Sequence, residues 1–65
     1  MTASEVVNLS GGSIVRTIDN VRIWAKLKHK KARYGAIELI EAELMKPAEQ
    51  QDFRRVIKEV QNLPF

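Results

Sequence analysis

Residues 13–34 read SIVRTIDNVRIWAKLKHKKARY. Whether this segment coils from its first residue, or begins as a strand, decides the fold class. Wound at 100° per residue, Ile14, Ile18, Val21, Ala25 and Ala32 fall on one narrow stripe. Ile23, Leu27 and Tyr34 form a second stripe with Trp24 beside it, and Arg22, Lys26, His29, Lys30 and Arg33 cluster between the two. That sorting predicts a helix over residues 20–34. Ile14, Val15, Thr17 and Ile18 are β-branched, and such side chains favour strands. The phase of Ile14 and Ile18 nevertheless continues into Val21 and Ala25, so the helical reading is preferred, with Ser13 as its cap. The competing reading places a short strand at 13–18 and starts the helix at Asp19. That is the plan of a ribbon-helix-helix-like dimer, whose paired strands enter a major groove.

Upstream, Thr2 and Glu5 have the spacing of a capping box, which suits a short helix through Val6, Val7 and Leu9. The same residues also suit a strand, and Gly11 and Gly12 close whatever precedes them. Residues 1–12 are therefore expected as a flexible, loosely ordered N-terminal segment, and residues 13–65 as a single small helical domain. Downstream, Ile37, Ile40 and Leu44 are spaced i, i+3, i+7, on a stripe turned by roughly 100° from the Ile23 stripe. A straight helix does not rotate its buried face so abruptly. The pattern predicts a break at residues 34–35, where Gly35 eases a bend, and a second helix over 36–45. Glu38, Glu41 and Glu43 are its expected acidic exterior. Pro47 suits the first turn of a last helix reaching Gln61. In it Phe53, Val56, Ile57 and Val60 recur at i, i+3, i+4, i+7. Acidic Glu49 and Asp52 precede basic Arg54, Arg55 and Lys58, complementing the helix dipole. The expected fold is all-α, a small bundle of two to three helices. Its core centres on Ile23, Trp24, Leu27, Ile37, Ile40, Leu44, Phe53, Val56, Ile57 and Val60.

Composition narrows the function. A chain of 65 residues is one domain at most and buries only about 60% of its unfolded surface. It has no cysteine and one histidine, which excludes disulfides and thiolate zinc and leaves no expected metal or cofactor. Association into a homodimer is a reasonable source of further burial. A net charge of +3 and a pI near 9.6 lean towards anionic partners such as nucleic acid. No apolar run approaches the ~18 residues of a membrane span, and the N-terminus lacks the pattern of a signal peptide, so a cytoplasmic protein is expected.

Catalysis is not expected. His29 is the only base of its kind, it lies among cations, and no carboxylate is near it in sequence to orient it. Glu38, Glu41 and Glu43 read as a solvated helix face, and no Gly-Lys-Ser/Thr follows Gly11 and Gly12 to make a phosphate loop. The basic face carries the functional weight. Arg22, Lys26, His29, Lys30 and Arg33 recur at offsets 0, 4, 7, 8 and 11. On one helix they line a row ~16 Å long, long enough to meet several phosphates. Lys28 and Lys31 flank the row and Arg16 extends it. Trp24 and Tyr34 suit core packing, with base stacking as the other option.

EVVNLSGGSIVRTIDNVRIW also suits a short helix, a glycine turn and a longer helix, as in a helix-turn-helix. Within it, TIDNVRIWAK resembles the recognition helix of small excisionase-type and merR-type regulators over ten residues. The paired glycines depart from the usual turn, and no family membership follows. The leading expectation is a small non-enzymatic DNA-binding or transcription-regulating protein that sets its basic helix face on phosphates. The alternative is a protein-interaction module, such as an adaptor, inhibitor or antitoxin-like regulator. Trp24, Phe53, Val56 and Val60 would then bind a partner protein through an amphipathic helix.

Overall fold

The computed structural model describes residues 1–27 and 31–65. Ser13 decides the critical segment. Its backbone is extended, and its Oγ accepts the Arg16 N–H at 3.3 Å, capping a helix that runs Ile14–Lys26. No strand forms at 13–18, and with it goes the ribbon-helix-helix alternative. Val15 is exposed, while Ile14, Thr17 and Ile18 are accommodated on the inward-packing side of the helix. Thr17 is buried there, and its hydroxyl donates to the Ser13 carbonyl at 2.6 Å, so no polar group is stranded.

Four α-helices make up the described chain: α1 Ala3–Leu9, α2 Ile14–Lys26, α3 Tyr34–Leu44 and α4 Phe53–Gln61. Short 3-10 turns lie at Lys31–Arg33 and Ala48–Gln50. Among the described residues there is no strand, so the expected all-α bundle is what forms, with four helices rather than two to three. The additional helix is α1. The segment expected to be loosely ordered is capped by Thr2 and Glu5 in a reciprocal capping box, and it buries Ala3 and Val6. The two ends of the chain hold it down. The Ala3 N–H donates to the Phe65 carbonyl at 2.8 Å, and Trp24 Nε1 donates to the Met1 carbonyl at 3.0 Å. Gly11 and Gly12 take φ of 70° and 84°, a left-handed turn that glycine adopts without steric cost, and α2 folds back on α1. Asn20 of α2 secures the turn by donating to the buried Ser10 hydroxyl at 3.0 Å.

The predicted helix over 20–34 is divided. α2 ends at Lys26, with Leu27 extended at φ −63°, ψ 134°, and α3 begins at Tyr34. The expected break at 34–35 therefore lies earlier, and Gly35 sits inside the first turn of α3. Pro47 opens only the short turn Ala48–Gln50; α4 starts later, where the Asp52 carboxylate accepts the Arg55 N–H at 3.2 Å.

The core joins Ala3 and Val6 of α1, Val21, Trp24 and Ala25 of α2, Ala36, Ile37 and Ile40 of α3, and Val56 and Val60 of α4. α2 carries two apolar stripes, and α1, α3 and α4 all pack on the Val21 side. Val21 is 1% exposed, whereas Ile23 and Leu27, expected in the core, are 59% and 54% exposed. Leu44 is likewise largely exposed. Glu43 is the opposite correction. Placed on the acidic exterior by its charge, it is buried, and it accepts from the Asp52 N–H at 2.7 Å and Arg55 Nη2 at 2.6 Å. Lys46 Nζ lies 3.2 Å from the same carboxylate. These contacts fasten the end of α3 to the start of α4.

Candidate functional site

With three helices on one side of α2, the opposite side faces solvent. Val15, Asp19, Ile23 and Lys26 lie along it, spaced i, i+4, i+8 and i+11, with Arg22 beside them. Val15 is 73% exposed, Asp19 and Lys26 are exposed, and Arg22 is half-buried. The outer face of α2 is thus a mixture of apolar and charged groups of both signs, not a cationic strip.

The five cations of the expected row are distributed as follows. Arg22 and Lys26 are on α2, and Arg33 ends the separate turn Lys31–Arg33. His29 and Lys30 lie outside the described residues. A continuous helix through residues 22–33 is not what forms, because α2 stops at Lys26 and α3 starts beyond Arg33. Arg33 has a local task. Its guanidinium carbon lies 4.9 Å from the centroid of the Trp24 ring, and Nη1 donates to the Trp24 carbonyl at 3.4 Å. A flat, weakly hydrated cation on an aromatic face holds the turn against α2. Of the alternative set, Trp24, Val56 and Val60 are buried, so as folded they do not meet a partner. Phe53 remains half-buried at the surface.

Phe53 borders an apolar groove of about 250 Å³ between α2, the end of α3 and the start of α4. Ile14, Val15, Ile18 and Leu44 form the rest of its wall, and Asp19 and Arg22 stand at its rim. Met45, next in sequence to Leu44, is 88% exposed. A second depression, about 210 Å³, lies on the other flank of α2 against α1, lined by Met1, Leu9, Ile23 and Leu27 over Val6 and Trp24. Sequence reasoning missed both because it assigned Leu44 and Phe53 of the first, and Ile23 and Leu27 of the second, to the core. The signal was present: a single short helix with two apolar stripes offers more apolar surface than so small a bundle has neighbours to cover.

The charged chemistry of the fold lies elsewhere. The Glu43 carboxyl is held below its ordinary 4.5, first by the Asp52 N–H and then by Lys46 and Arg55, against the opposing effect of burial. Arg55 also pairs with Glu59 at 2.7 Å. Every buried side-chain nitrogen or oxygen among the described residues has a hydrogen-bond partner. Among the described residues no three His, Cys, Asp or Glu side chains gather as metal ligands, and no helix is long and apolar enough to cross a membrane. Along α2 the arrangement offers two apolar depressions with a shallow, more polar one between them, lined by Asp19, Arg22, Ile23 and Lys26. No protein family, curated protein or solved structure matches this chain.

Proposed function

We propose that this chain is a small non-enzymatic protein-interaction module that takes the apolar side chains of a partner helix into the groove between α2, α3 and α4. The observation that carries this reading is the exposure of Val15 and Leu44 on a groove that Ile14, Ile18 and Phe53 also line. Contiguous exposed apolar side chains with a polar rim are what a docking surface presents. An amphipathic helix supplies its anchors at i, i+3, i+4 and i+7, which suits an elongated groove beside α2. Each large apolar side chain fully buried contributes about 1.5–3 kcal/mol. Two or three anchors give about 3–9 kcal/mol before the cost of ordering both partners, which leaves a weak affinity, on the order of 100 µM to 1 mM. Asp19 and Arg22 on one rim give the partner a direction by matching opposite charges in it.

The test is a selection of random peptides of about four helical turns, followed by amide chemical-shift mapping on the folded chain. The expected result is enrichment of amphipathic helices that shift Val15, Ile18, Leu44 and Phe53, with binding weakened at least about tenfold by Val15→Asp or Leu44→Asp. Selected peptides that map to the Glu38 and Glu41 face, or bind both variants unchanged, overturn the reading.

A second reading keeps the expected nucleic-acid contact. It is favoured by Arg22, Lys26 and Lys31, which form no ion pair among the described residues, on a chain of net charge +3. In this reading the last turns of α2 and the turn at Lys31–Arg33 contact phosphates of DNA, and the protein acts in transcription regulation.

A further inference from the structure

The outward stripe of α2 is complementary to itself. Asp19 and Lys26 are seven residues apart, two turns and about 10 Å along the axis, and Ile23 lies between them. We infer that a second copy of this chain packs on this stripe with the two α2 helices antiparallel, related by a two-fold axis close to Ile23. An isologous contact requires one patch to match its own image. Here the two-fold sets Asp19 of each chain opposite Lys26 of the other, twice, and brings the two Ile23 side chains together at the centre. Parallel helices put Asp19 on Asp19 and Lys26 on Lys26, so the charges select one direction.

The surroundings support a second copy as the occupant. Leu27 and Leu9, both exposed, adjoin Ile23 in the depression between α1 and α2, and they extend the apolar centre to one side of the charged pair. Arg22 lies to the other side, in the polar depression it lines with Asp19, Ile23 and Lys26. A stable interface buries about 800 Å² on each partner, under a fifth of the 4546 Å² this chain exposes. One helix face with an adjoining depression supplies less than that, so the dimer is weak and concentration-dependent. The groove bounded by Leu44 and Phe53 is on the other flank of α2, and self-association through Ile23 does not rest on what that groove binds.

Sedimentation velocity at low salt, from about 5 µM to about 1 mM chain, tests the inference. The expected result is a mass that rises from 7.4 kDa towards twice that value. Asp19→Lys and Lys26→Asp each set like charges opposite each other and hold the chain at monomer mass. The double variant Asp19→Lys, Lys26→Asp restores the attraction in the antiparallel pair alone and recovers the wild-type curve. Ile23→Ser shifts the curve to at least about tenfold higher concentration. All three substituted positions face outward, and unchanged circular dichroism confirms that each of the four variants is folded. A wild-type chain that stays monomeric at the highest concentration overturns the inference. So do single charge reversals without effect, or a double variant that stays monomeric.

Discussion

Val21→Ala and Ile23→Ala differ by half a turn on α2, and their stabilities are predicted to differ sharply. Val21 is 1% exposed, packed among α1, α3 and α4, while Ile23 is 59% exposed on the far side. Removing two buried carbons from Val21 loses about 0.8 kcal/mol of transfer free energy for each. The unfilled space adds about 1 kcal/mol, for a total near 2–3 kcal/mol. A chain of this length has roughly 3–10 kcal/mol of stability in all. The loss therefore moves the thermal midpoint by roughly 10–20 °C, at about 4–8 °C per kcal/mol. Ile23→Ala removes more carbon but from a surface position, and its effect stays within about 0.5 kcal/mol. Circular dichroism melts and urea titrations at about 5 µM chain keep self-association out of the comparison. If Ile23→Ala costs as much as Val21→Ala, α2 is rotated from the orientation described, and both depressions beside it are wrongly assigned.

Glu43 gives the fold an acid-sensitive joint. Its carboxyl titrates below 4.5 in the folded chain, so its contribution is present above the unfolded value and is lost as pH falls through the lower folded one. Urea midpoints from neutral pH into the acid range should fall in wild type, while Glu43→Gln is weaker at neutral pH and flatter below 4.5; parallel profiles would contradict the assignment. Arg33→Ala removes the cation from the Trp24 ring, at a cost of about 0.5–1 kcal/mol, and changes tryptophan fluorescence before unfolding; an unchanged spectrum would show that the two are not stacked. Thr2→Ala removes the cap of α1 at a cost of about 1 kcal/mol. It should also raise amide exchange across residues 3–9, which a loosely ordered segment would not show.

What could be read from the residues was local. The Thr2 and Glu5 spacing, the Ser13 cap, and the phase running from Ile14 through Ile18 and Val21 to Ala25 all correspond to features of α1 and α2. Of the repeat Phe53, Val56, Ile57 and Val60, Val56 and Val60 mark the buried face of α4, while Phe53 and Ile57 are only half-buried. What could not be read depends on distant partners. Choosing between the Val21 and Ile23 stripes requires knowing where three other helices pack. The docking of α1 depends on carbonyls at both chain ends, Met1 and Phe65, which periodicity does not register. Glu43 reads as exterior by charge, yet it shares the phase of Ala36 and Ile40, and its burial is compensated by Arg55 twelve residues away. The single helix expected to carry Arg22 through Arg33 does not form, for a related reason. Offsets from Arg22 to Arg33 place charges on one line only while the helix continues, and α2 ends at Lys26. Within that range the neighbouring acid, Asp19, and the exposed Ile23 change what the face can bind.

The most direct measurement of the central claim, that α2 presents a surface for protein rather than a grip for phosphate, is a salt-resolved titration of labelled duplex DNA. The account predicts at most non-specific affinity near physiological salt, in the range of about 10⁻⁴–10⁻⁶ M, with a shallow dependence on salt because few cations act together. Changing Lys26 and Arg22 to Ala should alter that slope by no more than about two phosphates' worth. Nanomolar binding with a logarithmic salt slope of about −6 or steeper would contradict it, and would return the function to the nucleic-acid reading.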